Sequence, residues 1–368
     1  MPFQFNPPDG YRNTVTFPQK PANETAFRDQ MMQPLDQLAA YINGADPLPQ
    51  YGLSPFSRQG LINGGFDIWQ RGLFFSGRNV YTADRWFVSD EGGSASYTVG
   101  RNDIIPGDPT LPANLNPRHY LTLRVISLSS GSINLGQKIE DVRTFAGQKI
   151  TLSMYVRSPV ATSMQVAYGQ VFGSGGSPTV SEVSTVAIGP TFSRVTVTFS
   201  IPSVNGKTIG ANSYLFLQFL RIPSSGVVGY YDIAMASVNA GETASSFSQS
   251  VIADELARCQ RYYEKTYSLQ DAPGTVVDAG TVTGHSSNGF GLVDAGSFKV
   301  AKRTVPTMTL YSPFTGFVNS SRRFGDASDS AVSGIERPST NRAGRMYQGA
   351  GTLANGMWQF HWTADAEL

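Results

Sequence analysis

A catalytic serine usually stands on a Gly-x-Ser-x-Gly turn, whose strain lifts the hydroxyl clear of its sheet. The nearest approach in this chain is Gly284-His-Ser-Ser-Asn-Gly289, where His285 adjoins Ser286 and Ser287 at the wrong glycine spacing. Glycoside hydrolysis needs two carboxylates at a set separation. Glu140 and Asp141 are adjacent, so a strand would turn them to opposite faces. Metal binding needs clustered His, Cys or carboxylate ligands. The histidines, His119, His285 and His361, are far apart in sequence, although His361 could meet its own copies on the axis of a trimer. A structural Ca2+ could draw oxygens from Asp67, Asp90, Asp232 and Glu242, in no diagnostic spacing. These residues predict no enzyme and no cofactor beyond such a calcium ion.

Recognition chemistry is better represented. Sugar binding uses aromatic platforms with planar amides and guanidiniums on exposed loops. Residues 311–362 hold that mixture. Tyr311, Phe317, Asn319, Arg322, Arg323, Asn341, Arg345 and Tyr347 are the expected glycan contacts, with Phe314, Arg342 and Asn355 nearby. The segment 319–349 is the preferred contact loop. Trp358, Phe360 and Trp362 alternate, so a strand would turn all three toward one core face.

Composition narrows the partners. The chain has 368 residues, enough for more than one domain. Gly (38) and Pro (22) are numerous, and 15% of residues are charged. Ordinary soluble domains carry roughly 25% charged residues, so short strands joined by tight turns are expected. The formal net charge of +1 offers no field for a phosphate backbone, and no nucleic-acid partner is expected. One cysteine, Cys259, precludes an internal disulfide and permits synthesis in a reducing cytosol. The opening MPFQFNPPDG lacks the basic and apolar regions of a secretory signal. No apolar run reaches the roughly 18 residues of a membrane span.

The positioning elements follow from periodicity. Residues 1–21 form an irregular arm broken by Pro7, Pro8, Pro18 and Pro21. Residues 22–43 read as helix, capped by Asn23 and ended by Gly44, with an apolar stripe of Phe27, Met31, Leu35, Leu38 and Ile42 and a kink at Pro34. That stripe either packs on the next domain or forms a short bundle between identical chains. A Pro/Gly linker covers 44–60. From 61 to 248 period-two runs follow one another: Leu121–Val125, Ile150–Val156, Val195–Ile201, the nearly continuous Tyr214–Ile222, then Ile233 and Met235. They predict an antiparallel sandwich or jelly roll. Residues 250–267 read as helix, capped by Ser250, with Ile252, Leu256, Cys259 and Tyr263 on one face. Thr275–Val282, Phe298–Val300, Met308–Tyr311 and Met357–Trp362 are candidate strands of a small β domain. The expected fold is therefore mainly β in three parts: 1–60, 61–249 and 250–368.

Five segments carry a family resemblance. They are Leu61-Ile-Asn-Gly-Gly-Phe-Asp-Ile-Trp-Gln-Arg-Gly72, Tyr81-Thr-Ala-Asp-Arg-Trp86, Gln137-Lys-Ile-Glu-Asp-Val142 with Gly147–Val156, Tyr231-Asp-Ile-Ala234, and Glu255-Leu-Ala-Arg-Cys-Gln-Arg-Tyr-Tyr-Glu264. In order and spacing, 60–267 resembles bacteriophage tail-fibre, head-fibre or receptor-binding proteins with a carbohydrate-binding-module-like jelly roll. Pro8-Asp-Gly-Tyr-Arg-Asn13, Phe17-Pro18 and Ala26-Phe-Arg-Asp29 are similar to virion-attachment ends, and Lys302–Tyr311 also looks phage-like. Trp69 and Trp86 read as core, and Arg71 and Arg85 as partners of Asp67 and Asp84.

The resemblance implies a homotrimer, made in the host cytoplasm and carried on the virion. Its arm would engage a capsid or tail protein. Phe3, Phe5, Tyr11 and Phe17, with Phe27, Met31, Leu35, Leu38 and Ile42, would serve attachment and oligomerisation. Its distal end would bind host-surface glycan, with avidity from three copies. The alternatives are a structural fibre or decoration protein without a glycan ligand, and, further away, a glycan hydrolase or esterase.

Overall fold

Alternation of apolar and polar residues builds most of the structure, because successive side chains on a strand face opposite sides. The computed structural model describes residues 60–111, 116–286, 293–325, 329–331, 333–348 and 355–368. These lie in one compact unit, Arg58–Leu368. The expected arm and helix, from Phe3 to Ile42, lie outside the described residues.

Twelve strands make two antiparallel sheets. The first runs in the order β1 (Phe74–Phe75), β4 (Ser96–Asp103), β5 (His119–Ser127), β12 (Gly229–Ala240), β7 (Lys149–Arg157) and β10 (Ser193–Ser200). The second runs β2 (Val80–Tyr81), β3 (Trp86–Asp90), β6 (Ser132–Glu140), β11 (Tyr214–Pro223), β8 (Thr162–Val171) and β9 (Val180–Ile188). Inward residues of both sheets share one core: Leu121, Leu123, Leu152 and Val156 from the first, Val88, Leu135, Val166 and Leu217 from the second. The expected sandwich is therefore present, and β11 is central in its sheet. Trp69 and Trp86 are buried in this core, as their motifs implied. Trp86 lies 4.7 Å from the Phe66 ring and 5.4 Å from Phe219, and its Nε1 donates to the Asn63 carbonyl at 2.9 Å.

The helix α1 spans Ile252–Gln260, shorter than expected. Its N-cap is Val251 without a side-chain cap, so Ser250 does not serve. Acidic Asp254 and Glu255 occupy the first turn, where the helix dipole favours them. The chain then leaves the helix because β13 (Tyr263–Lys265) pairs with β21 (Gly356–Asp365). Tyr263 thus belongs to a strand, not to the helix face.

β21 also pairs with β14 (Val282–Ser286), β16 (Thr307–Tyr311) and β17 (Ser320–Arg323), and β17 pairs with β18 (Asp329–Ala331). A smaller sheet holds β15 (Val293–Asp294), β20 (Arg345–Gln348) and β19 (Ser333–Glu336). Trp358, Phe360, Trp362 and Ala364 face one core together, as their alternation predicts. Two expected strands differ. Of Thr275–Val282 only Val282 is in a strand, and Val276 is 60% exposed, so the alternation there serves no buried face. Phe298–Val300 forms no strand; the Phe298 N–H donates to the Asn341 carbonyl at 3.0 Å instead.

Ionic contacts tie the sandwich to Asp365 at the end of β21 and to the buried Glu367 just after it. Arg71 lies 3.3 Å from Asp365 Oδ2 and 3.3 Å from Glu367 Oε1, with its guanidinium 3.7 Å from the Tyr263 ring centroid. Arg85 pairs with Glu367 and stacks 3.5 Å over Tyr262. The expected pairing of Arg71 and Arg85 with Asp67 and Asp84 holds for Arg71 with Asp84 and is otherwise corrected. Asp84 is 3.9 Å from Arg71 and mainly accepts from the Gln70 N–H at 2.9 Å, while Asp67 faces Arg118 at 3.9 Å. Burial raises the Glu367 carboxyl above its ordinary value, against the opposing pull of Arg85 and Arg71. Lys302, fully buried, is held by Glu264 at 2.6 Å and by the Gln260 carbonyl at 2.6 Å.

Burial also sets an alkaline stability profile. It pushes the Lys265 amine down to about 8 from 10.5. Between those values the unfolded chain binds the extra proton, so stability rises with pH. Burial pushes Tyr97 and Tyr267 up to about 12 from 10.0, so the native state keeps protons that the unfolded chain loses. Their contribution is complete below pH 10.0 and is lost above it. Melting temperature measured across the alkaline range is expected to climb from pH 8, turn near pH 10, and then fall. Lys265→Met should flatten the climb and leave the fall; an unchanged climb would refute the assignment.

Candidate functional site

The outward residues of the first sheet build a groove. On β5, Leu121, Leu123 and Val125 face the core, which turns Tyr120, Thr122 and Arg124 outward. On β12, Tyr231 and Ile233 face inward, which turns Tyr230 and Asp232 outward. Register then sets these residues abreast. Thr122 pairs with Asp232, Asp232 with Arg157, and Arg124 with Tyr230. Together with Asn102, Pro159 and Gly229 they line a pocket of about 520 Å³. Gly229 has φ of +141°, and a Cβ there would come 2.9 Å from Pro159 Cγ. A glycine is therefore needed to hold this wall.

The floor is a connected polar network. Asn102 Nδ2 donates to Thr122 Oγ1 at 2.8 Å, and Thr122 Oγ1 donates to Asp232 Oδ1 at 2.6 Å. Arg157 Nε donates to Asp232 Oδ2 at 2.7 Å, and its Nη1 to Thr110 Oγ1 at 3.1 Å. The Arg157 guanidinium also sits 4.5 Å from the Phe192 ring centroid and 5.4 Å from that of Tyr120. Burial raises the Asp232 carboxyl above its ordinary value, while Thr122 and Arg157 pull it down. Tyr230, 43% exposed, stands over this floor as an accessible ring. A fixed polar floor beside an open aromatic face suits a flat, many-hydroxyl ligand, because stacking needs the ring and orientation needs the placed donors and acceptors.

The residues expected to contact glycan from the sequence divide between two sheets. Tyr311 lies on β16, 6.0 Å from the Tyr267 ring, and bridges to Val318. Phe317 is 69% exposed on the turn that follows. Asn319 adopts φ of 54°, and its N–H donates to the Leu310 carbonyl at 2.7 Å. Arg322 and Arg323 lie on β17 opposite Gln359 and Trp358, and Arg322 stacks 3.7 Å over Phe314. Arg345 and Tyr347 lie on β20 in the smaller sheet, with Asn341 in the loop before it. The structure therefore joins Tyr311, Phe317, Asn319, Arg322 and Arg323 around two paired segments, and sets Arg345 and Tyr347 on another sheet.

The other candidates have their own partners. His361 is buried, with Nδ1 2.9 Å from Thr266 Oγ1, Nε2 2.8 Å from the Val277 carbonyl, and its ring stacked on Tyr267. That places it in the core of this chain and not on a shared axis. His119 Nδ1 lies 2.8 Å from Asp103. Asp90 accepts from the Ala95 N–H at 3.0 Å, Asp232 is held in the groove, and Glu242 pairs with Lys149. Among the described residues no group of three or more His, Cys, Asp or Glu forms a metal cage. Glu140 is bound by Arg261 at 3.0 Å and by the Tyr262 hydroxyl at 3.0 Å. His285 and Ser286 lie on β14, with Ser286 buried; Ser287 lies outside the described residues.

Sequence reasoning missed the groove. The signal was present as alternation, since Tyr120, Thr122 and Arg124 occupy every second position, as do Tyr230 and Asp232. Only strand register reveals that the two rows adjoin.

No family model and no curated protein matches this chain. Solved structures do match. The enzymatically active domain of tailspike protein 4 of bacteriophage CBA120 aligns with 43% of this chain at 16% identity and a TM-score of 0.29; this chain spans 19% of that one. A cyclase from Fischerella sp. TAU aligns with 50% of this chain and 96% of its own length, at 16% identity and a TM-score of 0.36. The CBM22-1 xylan-binding domain from Paenibacillus barcinonensis aligns with 47% of this chain and 95% of its own length, at 9% identity and a TM-score of 0.29. Each of these alignments covers half of this chain or less. The expectation that this chain is not an enzyme is withdrawn: the aligned chains include a cyclase and an enzymatically active tailspike domain, and a missing catalytic motif does not decide the class.

Proposed function

We propose that this chain binds a glycan in the groove of the first sheet, as the recognition part of a virion fibre or spike. The observation that carries the reading is the groove itself, where the exposed Tyr230 ring stands over the Asn102–Thr122–Asp232–Arg157 network. The role on a virion rests on the sequence motifs of 60–267 and on the phage-like ends. In this reading three copies assemble through residues 1–60 and dock on a capsid or tail protein. Three weak sites on one fibre then act together on a host surface.

Tyr230→Ala is expected to weaken retention on a bound bacterial-surface polysaccharide by about tenfold, the loss of roughly 1.4 kcal/mol of stacking. Affinity electrophoresis or a polysaccharide array measures it. Phe317→Ala and Tyr347→Ala provide the comparison, since both rings are exposed, Phe317 in the loop between β16 and β17 and Tyr347 on β20. Loss of binding in those two variants with none in Tyr230→Ala would move the site away from the groove.

A further inference from the structure

The charges in the groove do not cancel. Two guanidiniums, Arg124 and Arg157, line it with one carboxylate, Asp232. Arg157 is committed. Its Nε is on Asp232 at 2.7 Å, its Nη1 on Thr110 at 3.1 Å, and its flat face lies against Phe192. Both Asp232 oxygens are also in use, one by Thr122 at 2.6 Å and the other by Arg157 at 2.7 Å. Its single negative charge is already matched by Arg157, which leaves the second guanidinium uncompensated.

Arg124 is different. It is exposed, and among the described residues it makes no ion pair and no hydrogen bond. Its cross-strand neighbours are Thr98 on β4 and Tyr230 on β12, neither of them acidic. Along its own strand the same face carries Thr122 and Ile126. The nearest carboxylate by register is Asp232, one step diagonal from it and already paired with Arg157.

An exposed arginine alone is ordinary surface chemistry. What singles out Arg124 is its place directly opposite the Tyr230 ring. Side chains at opposed positions of an antiparallel pair start about 5 Å apart, well within the reach of one sugar residue. A pyranose stacked on Tyr230 would carry its exocyclic group over Arg124. The planar fork of a guanidinium matches a carboxylate or phosphate through two parallel N–H···O bonds. A neutral hydroxymethyl group gains much less there, because an exposed guanidinium gives up hydration for a single weak bond.

We propose that the groove selects an acidic glycan, with the sugar ring on Tyr230 and a carboxylate or phosphodiester oxyanion on Arg124. This rests on the groove being the glycan site. Asp232 and Arg157 would orient the hydroxyls, and Arg124 would supply the charge selection.

The test uses the whole chain on an array of matched polysaccharides: a neutral glucan, its carboxymethylated derivative and its phosphorylated derivative. Wild-type protein is expected to favour at least one acidic form by about tenfold or more, the worth of one charge-assisted pair. That preference should fade as ionic strength passes about 0.15 M, where the screening length is about 8 Å. Arg124→Gln should bring binding of the acidic forms down to about the level of the neutral one, abolishing the preference. Arg124→Lys should keep more of the phosphate preference than of the carboxylate preference, because an ammonium cannot form the fork. The carboxylate and phosphate arms separate a uronate-type ligand from a phosphodiester-type one. Equal binding of neutral and acidic forms, or a preference that survives Arg124→Gln, would overturn the charge assignment and leave the groove reading standing. Binding of none of the three polymers would overturn both.

Discussion

Glu367→Ala is expected to lower the unfolding free energy by about 3–5 kcal/mol, the usual cost of stripping one partner from a buried ion pair. Glu367 is 4% exposed and Arg85 1%. Without the carboxylate, Arg85 keeps only the Lys138 carbonyl and the Tyr262 face, and two guanidiniums remain close in a dry site. In a folded unit of this size such a loss corresponds to a melting-temperature drop of about 5–8 °C. Glu367→Gln should cost less, because the amide keeps an acceptor oxygen. Arg85→Met combined with Glu367→Leu should recover much of the loss, since apolar replacement of both partners is often neutral. Chemical denaturation of the four proteins decides this. A change below about 0.5 kcal/mol for Glu367→Ala would mean the pair contributes nothing beyond a surface contact.

Trp86→Ala should be comparably severe, at about 3–5 kcal/mol, through a cavity in the sandwich core. The indole is fully buried between Phe66 and Phe219, and these rings come from different strands and loops that cannot close on the gap. The Asn63 carbonyl would still receive the Phe66 N–H at 3.1 Å, so the loss is mainly one of packing. Trp86→Phe should keep part of the mass and lose about 1–2 kcal/mol. Unfolding followed by intrinsic fluorescence and by circular dichroism gives both numbers. A loss under about 1 kcal/mol would show that the core closes over the space.

Period-two patterns made the sandwich legible. The runs at 121–125, 150–156 and 214–222 each fall inside a strand, and 195–201 overruns β10 by one residue, because a half-buried strand writes its inward face directly into the sequence. The end of α1 was not legible. Tyr263 continues the helical stripe, and only pairing with Asp365, some hundred residues later, draws it into a strand. Arg71 and Arg85 were read with the nearest acids, whereas their partners Asp365 and Glu367 lie at the far end of the sequence. The groove failed for the same reason. Its residues come from four strands whose adjacency is fixed by sheet order, which alternation alone does not contain. The C-terminal aromatic residues were conspicuous in sequence, yet several of them, Trp358 and Trp362 among them, serve the core.

The pairing of β21 with four separate strands has a consequence for biosynthesis. Strands β13, β14, β16 and β17 are all made before β21, and each takes its hydrogen-bonding partner from it. On the ribosome they must wait, with open edges, until residues 356–365 have emerged. Open edges are templates for pairing between chains. A ribosome-stalled or prematurely ended chain is therefore expected to expose this half of the molecule to chaperones and to its own nascent neighbours, while the earlier sandwich has already gathered its strands.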